Sequence, residues 1–286
     1  MSQVAIVSDS TACIPQEMMK KYGIEIVPVV FLFGDVSYRD GVDMSTAEFY
    51  ERLKKAKKLP TTSGSLAVSY LEAYLKASKR AESILCITIS AKLSGMHASA
   101  RLGVDMAKKE LSGIAIEVLD CGTAAAAQGL VVLAAARAAA AGKSLAEVIQ
   151  LAENVMQKVH LFATLDTLHY LVKGGRVPKA AALATSILSI KPIFAVRDGS
   201  AHPVTNAHTM VGALKTILKL MEENVTEEQP FHVAVMHAAA PDKANELVSE
   251  ISHRFNCSEL FITEFTPVMG VHTGPGVVGV AFYNGD

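Results

Sequence analysis

Residues 84–119 carry the pattern that decides the fold: ILCITISAKLSGMHASARLGVDMAKKELSGIAIEVL. The apolar run from Ile84 to Ile89 predicts a strand, a helix follows from about Ser94 to Leu111, and Ile114 to Leu119 predicts a second strand. An alanine-rich helix is predicted next, over Gly122 to Gly142. Repeated units of strand and helix are typical of a parallel sheet covered by helices on both faces. This stretch therefore indicates an α/β protein.

The same alternation is present earlier in the chain. Val4 to Val7 predicts a first strand, and a short helix follows from Pro15 to Gly23, whose end residues are typical of a helix start and a helix stop. Ile24 to Phe33 predicts another strand, which Pro28 places at an edge or a bulge. We therefore predict an N-terminal domain, residues 1–160, with a mainly parallel sheet flanked by helices.

The second half of the chain has a different pattern. Leu161 to Leu165 predicts a strand, and residues 190–205 predict two strands joined by a hairpin turn at Asp198-Gly199. Val277 to Tyr283 predicts the last strand. We expect a C-terminal domain of mixed α/β structure, residues 161–286. No linker rich in Pro, Gly or Ser precedes it, which predicts close packing of the two domains.

Length and composition exclude several classes of protein. The 286 residues suggest two domains, at roughly 100–200 residues per domain. Apolar side chains make up 50% of the chain, which is enough for a buried core. The 27 basic and 28 acidic residues give a net charge of −1, which argues against a nucleic-acid partner. Four scattered cysteines without CxxC spacing predict neither a metal site nor disulfides.

Signals for membranes and targeting are weak. No apolar run reaches the length of about 18 residues that a spanning helix needs, and the N-terminus lacks the features of a signal peptide. We therefore expect a cytoplasmic protein. Four lysines, Lys54, Lys55, Lys57 and Lys58, are most simply a solvated helix face. Docking to a partner or a membrane surface is the alternative, so we expect at most transient membrane contact.

Small hydroxyl and glycine residues are concentrated beside the predicted strands. The clusters are Ser8-Asp9-Ser10-Thr11, Thr61-Thr62-Ser63-Gly64-Ser65, Ser90 to Gly95, and Asp120-Cys121-Gly122-Thr123. Open parallel sheets bind ligands beyond the carboxyl ends of their strands, and hydroxyls at helix starts suit anions. The alternative is that each hydroxyl only caps its helix.

Two later motifs are also candidates for an anion site. Lys173-Gly174-Gly175-Arg176 suits an oxyanion-binding turn, although a helix C-cap with a solvated arginine explains it equally well. His272 and Thr273 precede a glycine-rich turn that leads into the last strand, where both side chains can donate hydrogen bonds to a carboxylate or phosphate. A structural histidine is the alternative there.

Several enzyme motifs are absent from the sequence. Neither GxGxxG after the first strand nor GxxxxGK[ST] is present. Lys92 stands where a G-x-S-x-G elbow around Ser94 requires glycine, and Thr11 stands where an aspartyl-phosphate site at Asp9 favours a second aspartate. We therefore predict no catalytic residues. An enzyme acting on a small phosphate or carboxylate metabolite at the hydroxyl-rich sheet edge stays open as the alternative.

The order and spacing of short motifs along almost the whole chain resemble the DegV family of bacterial fatty-acid-binding proteins. They are Asp9-Ser10-Thr11, Thr62-Ser63, Leu93-Ser94-Gly95, Thr167-Leu168-His169-Tyr170-Leu171 running into Lys173-Gly174-Gly175-Arg176, Lys191-Pro192-Ile193, and His272 to Gly276. The resemblance implies two α/β domains with one long-chain fatty acid between them and no cofactor. It also implies that the protein presents this acid to a separate fatty acid kinase, which forms an acyl-phosphate for phospholipid synthesis.

The resemblance also implies roles for individual residues. Thr62 and Ser94 would contact the ligand carboxylate, and Arg176, His272 and Thr273 would form the surrounding polar network. The chain departs from the common family pattern at three places. Gly64-Ser65 replaces Gln-Pro, Met96-His97 replaces Thr-Tyr, and Cys121 replaces a serine. These positions bear on acyl-chain preference and on which kinase is served.

The predicted site residues suit a fatty acid chemically. Burial is worth ~0.8 kcal/mol per methylene, so the tail supplies affinity. The carboxylate needs hydrogen bonds because an unpaired buried charge is costly, and the hydroxyls of Thr62 and Ser94 supply them without a charge. Apolar residues are so plentiful that the sequence does not single out those that line an acyl tunnel.

Overall fold

The computed structural model describes residues 2–177, 190–225 and 229–285. These residues contain thirteen strands: β1 (Ser2–Asp9), β2 (Glu25–Val27), β3 (Val30–Phe33), β4 (Val36–Arg39), β5 (Thr61–Gly64), β6 (Ala81–Thr88), β7 (Ala115–Asp120), β8 (His160–Thr164), β9 (Lys191–Arg197), β10 (Ser200–Ala207), β11 (Phe231–His237), β12 (Glu259–Glu264) and β13 (Val278–Asn284). They also contain ten α-helices: α1 (Gln16–Tyr22), α2 (Thr46–Lys55), α3 (Ala67–Ser78), α4 (Met96–Ala107), α5 (Ala125–Ala140), α6 (Leu145–Lys158), α7 (His169–Gly174), α8 (Met210–Glu222), α9 (Pro241–Arg254) and α10 (Pro267–Thr273). None of the helices in these ranges has the length and apolar character needed to cross a membrane.

The first sheet is parallel, with the strand order β2-β1-β6-β7. Strand β1 alternates, because Val4 and Ile6 belong to the core cluster that contains residues of α5, while Ala5 and Val7 belong to the cluster that contains residues of α3 and α4. The predicted unit of strand, helix and strand is present as β6, α4 and β7. The prediction of a parallel sheet flanked by helices is therefore confirmed.

A small antiparallel sheet with the order β4-β3-β5 follows the first two strands in the chain. The prediction of one continuous strand from Ile24 to Phe33 is wrong. The chain leaves the parallel sheet at Pro28, and β3 belongs to the small sheet. Proline has no N–H to continue a ladder, and the next N–H, of Val29, donates to the Ser10 hydroxyl (3.1 Å). Residues 61–64 also form a strand of this sheet, whereas the sequence indicated there only a cluster of hydroxyl and glycine residues.

The third sheet is mixed and has the order β10-β9-β8-β13-β11-β12. Only its β11–β12 pair is parallel among the described strands. The predicted hairpin is confirmed: β9 and β10 join at Asp198 (φ 50°) and Gly199 (φ 74°), two left-handed residues that match the twist of the strands. Helices α8 and α9 cover one face of this sheet.

Helix α5 lies between the parallel sheet and the mixed sheet. Fourteen of its 16 residues are buried, and it contacts β1 on one side and β11 and β13 on the other. Its small side chains permit this approach: a Cβ atom on Gly129 would lie 2.5 Å from the carbonyl oxygen of Ala12. The strands up to residue 120 and those from residue 160 thus occupy different sheets around one helix. The domain limits 1–160 and 161–286 stay a prediction.

Candidate functional site

A cavity of about 290 Å³ lies between the parallel sheet and the mixed sheet. Thr11, Ile89 and Ala124 line it, and they follow the carboxyl ends of β1, β6 and β7. Ala163 of β8 and Phe194 of β9 line it from the mixed sheet. The cavity therefore lies where an open parallel sheet binds its ligands.

Most of the cavity wall is apolar. Aliphatic, aromatic and thioether side chains from both sheets form it: Val29, Ile89, Leu93, Met96, Leu161, Leu165, Leu171, Val177, Phe194, Val196, Phe265, Val268, Met269 and Val277, with four alanines. Such a wall favours a long hydrocarbon over a sugar or a nucleotide, which need many polar partners. All five predicted site residues, Thr62, Ser94, Arg176, His272 and Thr273, also line this cavity.

Thr62 and His272 meet across 210 residues of sequence. Thr62 lies on β5, where it pairs with Phe31 of β3, and His272 lies on α10. The Thr62 Oγ1 atom is 3.0 Å from His272 Nε2. His272 precedes the glycine-rich turn that leads into the last strand, as predicted, and it lies in the last turn of a helix that begins with Pro267.

Burial and the nearby positive charge of Arg176 lower the pKa of His272 to about 4. The imidazole is therefore neutral at pH 7 and carries one proton. Its Nδ1 atom is buried and has no hydrogen-bond partner among the described residues. A buried N–H without a partner is costly, so we assign the proton to Nε2, which donates to Thr62 Oγ1. This assignment frees the Thr62 hydroxyl proton to bond a ligand in the cavity.

The two glycines of the predicted oxyanion-binding turn are each required for a different structural reason. A Cβ atom on Gly174 would lie 2.7 Å from His272 Nδ1, so glycine permits the approach of α7 to α10. Gly175 (φ 69°) is the left-handed C-cap of α7. Arg176 follows, exposed, with Nη1 donating to the Gly174 carbonyl (2.8 Å). The motif thus caps a helix and also places a guanidinium on the cavity wall.

Ser94 lies at the start of α4. Its N–H donates to the carbonyl of Ser90 (3.2 Å), and its hydroxyl makes no hydrogen bond to any residue that the structure describes. Gly95 precedes the first helical residue, and no described side chain caps α4. The unpaired N–H groups of the first turn carry partial positive charge. Ser94 thus combines a free hydroxyl with an electrostatic setting that favours an anion.

Thr273 differs from the other predicted site residues. Its hydroxyl donates to the carbonyl of Met269 (3.0 Å), one turn earlier in α10. Its proton is therefore used within the helix, and it presents only lone pairs to the cavity. Thr62, Ser94, Arg176 and His272, which we call the open cluster, retain unused hydrogen-bonding capacity.

A second polar group reaches the cavity through Thr11, and we call its members, Ser8, Asp9, Thr11 and Gln128, the closed cluster. Asp9 Oδ1 accepts hydrogen bonds from the Thr11 N–H (3.2 Å) and from Gln128 Nε2 (3.2 Å), and the Thr11 hydroxyl also contacts it. Asp9 Oδ2 accepts from the Ile89 N–H (3.0 Å). Burial raises the pKa of Asp9, and these hydrogen bonds oppose the rise. The sequence analysis missed Gln128; the one amide in an alanine-rich helix was the available signal.

Three residues that depart from the family pattern lie in one place on the wall. Gly64, Ser65 and Met96 all line the cavity. The Ser65 N–H points to Met96 Sδ (3.3 Å), and the sulfur is the nearest heavy atom to a Cβ built on Gly64 (3.8 Å). The Met96 thioether thus occupies the space beside Gly64, and it shapes this region of the cavity wall.

A family model described as "Uncharacterised protein, DegV family" matches residues 3–285. A DegV domain-containing protein of Clostridium perfringens is 32% identical over 279 residues, covering 98% of this chain and 98% of that protein.

Solved structures with the same fold are described as fatty acid binding. A DegV family protein from Thermus thermophilus, described by its fatty acid binding, has a TM-score of 0.91 at 26% identity and covers 99% of both chains. A stearic acid-binding protein from Eubacterium ventriosum has a TM-score of 0.91 at 26% identity, covering 99% of this chain and 98% of that one.

Proposed function

The chain belongs to the DegV family, and on that premise we propose that it binds one long-chain fatty acid in the cavity between its sheets. Thr62 and Ser94 hold the carboxylate, and the apolar wall holds the acyl chain. The observation that carries the proposal is the open cluster, in which the hydroxyl protons of Thr62 and Ser94 and the guanidinium of Arg176 remain available as donors on a wall that is otherwise mostly apolar. The fatty acid binding described for structures of the same fold supports it.

The acyl chain supplies most of the binding free energy. About 14 methylenes at ~0.8 kcal/mol each give ~11 kcal/mol before the costs of association. The wall contributes buried side chains such as Leu165, Phe194 and Val268, which are 3–5% exposed. These side chains lie in the folded wall before ligand arrives, so little ordering free energy is lost on binding.

The carboxylate is held by neutral donors. The hydroxyl protons of Thr62 and Ser94 point to it, and the first turn of α4 adds its partial positive charge. Neutral His272 orients Thr62, and Thr273 completes the polar surroundings through its lone pairs. Arg176 contributes a positive charge from the exposed side, which favours the ionised acid without a bidentate clamp on its oxygens.

This arrangement of donors supports presentation of the bound fatty acid to a kinase. A carboxylate held by two hydroxyls keeps a lone pair available to attack the γ-phosphorus of ATP on a separate fatty acid kinase, with ADP as the leaving group. The product is an acyl-phosphate, the activated form used in phospholipid synthesis. The chain itself acts as a carrier rather than as the catalyst, since it lacks the sequence motifs of a phosphate loop or an activated nucleophile.

Denaturing extraction of the purified protein, followed by mass spectrometry, tests the proposal. We expect a long-chain fatty acid in stoichiometric amount. A nucleotide or a small phosphorylated metabolite in its place would contradict fatty-acid binding and favour the alternative of an enzyme at this sheet edge. Protein stripped of lipid and then incubated with oleic acid provides the control for loss of ligand during purification.

A further inference from the structure

The loop that carries Ser94 touches the β9–β10 hairpin on the other side of the cavity. Ser90 Oγ donates to the carbonyl of Gly199 (2.8 Å), and Lys92 Nζ donates to the carbonyl of Asp198 (2.7 Å). Asp198 and Gly199 form the turn between β9 and β10. Two side chains of one half of the molecule thus hold the tip of a hairpin in the other half.

Ser90 also organises the loop itself. Its carbonyl accepts the N–H groups of Leu93 (3.0 Å) and Ser94 (3.2 Å), and its hydroxyl oxygen accepts the N–H of Lys92 (3.2 Å). The serine is 1% exposed. The contact with the hairpin is therefore continuous with the backbone that positions Ser94.

The tip of the hairpin lies beyond the residues of β9 that pair with β8. That strand pairs with β8 through residues 193–195, and β10 is the edge strand of the mixed sheet. Val196 and Ala201, next to the turn, line the cavity, as do Leu93 and Ser94 of the loop. Movement of the turn away from the loop would therefore open a gap between these segments of the cavity wall.

The fit between the turn and the loop is close. A Cβ atom on Gly199 would lie 2.6 Å from Ser90 Oγ, and the φ angle of Gly199 is +74°. A larger residue there would have to push the serine away while adopting a strained backbone. Glycine thus permits both the turn and the contact.

We propose that these contacts form a latch, made of Ser90 and Lys92 on the loop and Asp198 and Gly199 on the turn, which opens to let the acyl chain in and out. The latch rests on the proposed function, because it regulates exchange at the same cavity. None of its four residues lines the cavity, so the same contacts hold the empty and the loaded protein, and weakening them lowers the barrier to opening for both. Uptake and release then accelerate together, and affinity is preserved.

Stopped-flow fluorescence with parinaric acid, displaced by excess oleic acid, measures both rates. We expect Ser90→Ala and Lys92→Met each to raise the uptake and release rates about 3- to 10-fold, the range for loss of one hydrogen bond, with the dissociation constant changed less than about twofold. Lys108→Met is the matched control, since that ammonium pairs with Asp105 on its own helix (2.7 Å). It should exchange ligand at the wild-type rate.

Gly199→Ala breaks the latch in a different way, by steric pressure on Ser90, and should also accelerate exchange. Circular dichroism and melting establish that each variant is folded. Wild-type rates in the folded Ser90 and Lys92 variants would overturn the latch, and so would faster release with unchanged uptake, which indicates lost ligand contacts. Wild-type protein that takes up no parinaric acid would overturn the proposed function, and the latch with it.

Discussion

The closed cluster and the open cluster border the same cavity but differ in how their hydrogen bonds are used. In the closed cluster, Asp9 accepts hydrogen bonds from two backbone N–H groups and one amide, and every partner belongs to the protein. In the open cluster, the Ser94 hydroxyl and His272 Nδ1 have no partner among the described residues. The hydrogen bonds of the first cluster are satisfied within the protein. The second cluster keeps the Ser94 hydroxyl proton and, by our assignment, the Thr62 hydroxyl proton for the proposed ligand.

This difference in hydrogen bonding distinguishes polar groups that stabilise the fold from those that we assign to ligand binding. Residue type does not distinguish them. Both clusters contain hydroxyls near strand ends. The closed cluster reaches the cavity through Thr11, whereas all four members of the open cluster line it. Because a buried polar group without a partner is costly, a protein retains one where something else satisfies it. We therefore expect mutations in the open cluster to change ligand affinity and mutations in the closed cluster to change stability.

The largest effect is expected for the double variant Thr62→Ala, Ser94→Ala. It removes two hydrogen bonds to a charged group, each worth about 1.5–3 kcal/mol, so the dissociation constant for a fatty acid should rise about 10²- to 10⁴-fold. Without ligand, the free energy of unfolding should fall by about 1–3 kcal/mol, because Thr62→Ala leaves the buried Nε2–H of His272 without its acceptor. Ser94→Ala should add little to this loss, because the Ser94 hydroxyl has no partner among the residues that the structure describes. Isothermal titration with oleic acid measures the affinity.

Thr61→Ala is the matched control for that variant. Thr61 is an exposed neighbour on β5 that does not line the cavity, so its loss should leave the affinity unchanged. If the double variant binds as tightly as the wild type, the open cluster does not hold the carboxylate.

In the closed cluster, Asp9→Ala should lower the free energy of unfolding by about 3–5 kcal/mol, because it leaves the buried N–H groups of Thr11 and Ile89 without partners. It also removes one of the two acceptors of the Gln128 amide, which keeps only Ser8 Oγ. Urea unfolding of the ligand-free protein measures the loss. Asp35→Ala, in an exposed turn, should change it by less than about 0.5 kcal/mol. A variant of Asp9 with normal stability and lost affinity would place that residue in the ligand site instead.

The protonation of His272 predicts that the free energy of unfolding depends on pH through the open cluster. Its pKa in the folded protein is about 4, against 6.5 ordinarily, so the unfolded chain binds more protons between these values. The stability contributed by neutral His272 is complete above pH 6.5 and is lost as the pH falls toward 4. Between pH 7 and about pH 4.5, the wild type should lose about 2 kcal/mol more than His272→Gln, which keeps an N–H donor but does not titrate.

Urea unfolding of both ligand-free proteins at the two pH values gives this difference. Asp40, whose pKa burial raises to about 6, titrates in the same window in both proteins and cancels. Equal losses in the two proteins would mean that His272 ionises normally and that our assignment of its proton lacks support.

The smallest effect concerns Arg176, the exposed member of the open cluster. Arg176→Ala should reduce acyl-phosphate formation by the cognate kinase about tenfold more than it reduces fatty-acid binding, because a guanidinium pairs well with a phosphoryl group. Coupled assays with ATP and Mg²⁺, run beside titrations, measure both. Lys173→Met tests whether another cation near the cavity contributes to acyl-phosphate formation in the same way. Equal loss of binding and phosphorylation would assign Arg176 to ligand binding alone.

Local sequence patterns were sufficient to predict the parallel sheet and the hairpin. Strands, helices and turns such as Asp198-Gly199 depend on residues close together in the chain, so periodicity and turn chemistry reveal them. The motifs that carry the resemblance to the DegV family also indicated five residues that line one cavity, although among these five residues only Ser94 follows a strand of the parallel sheet. The small antiparallel sheet was missed because Pro28 redirects the chain in the middle of an apolar run.

The distinction between the two clusters could not be predicted from the sequence, because it depends on distant residues. Asp9 is satisfied by Gln128, which lies 119 positions away. His272 reaches Thr62 only because α10 brings it to β5, and Gly174 makes room for its ring. The sequence shows which side chains are polar, whereas tertiary packing decides which of them already have partners.

Comparison of oleic acid with oleyl alcohol most directly tests the claim that the open cluster is a carboxylate site. The two ligands share one hydrocarbon tail, so the difference in their affinities reports the head group alone. For the wild type, we expect the acid to bind at least about tenfold more tightly, and for Thr62→Ala, Ser94→Ala we expect most of that difference to disappear. Equal binding of acid and alcohol by the wild type would contradict the claim.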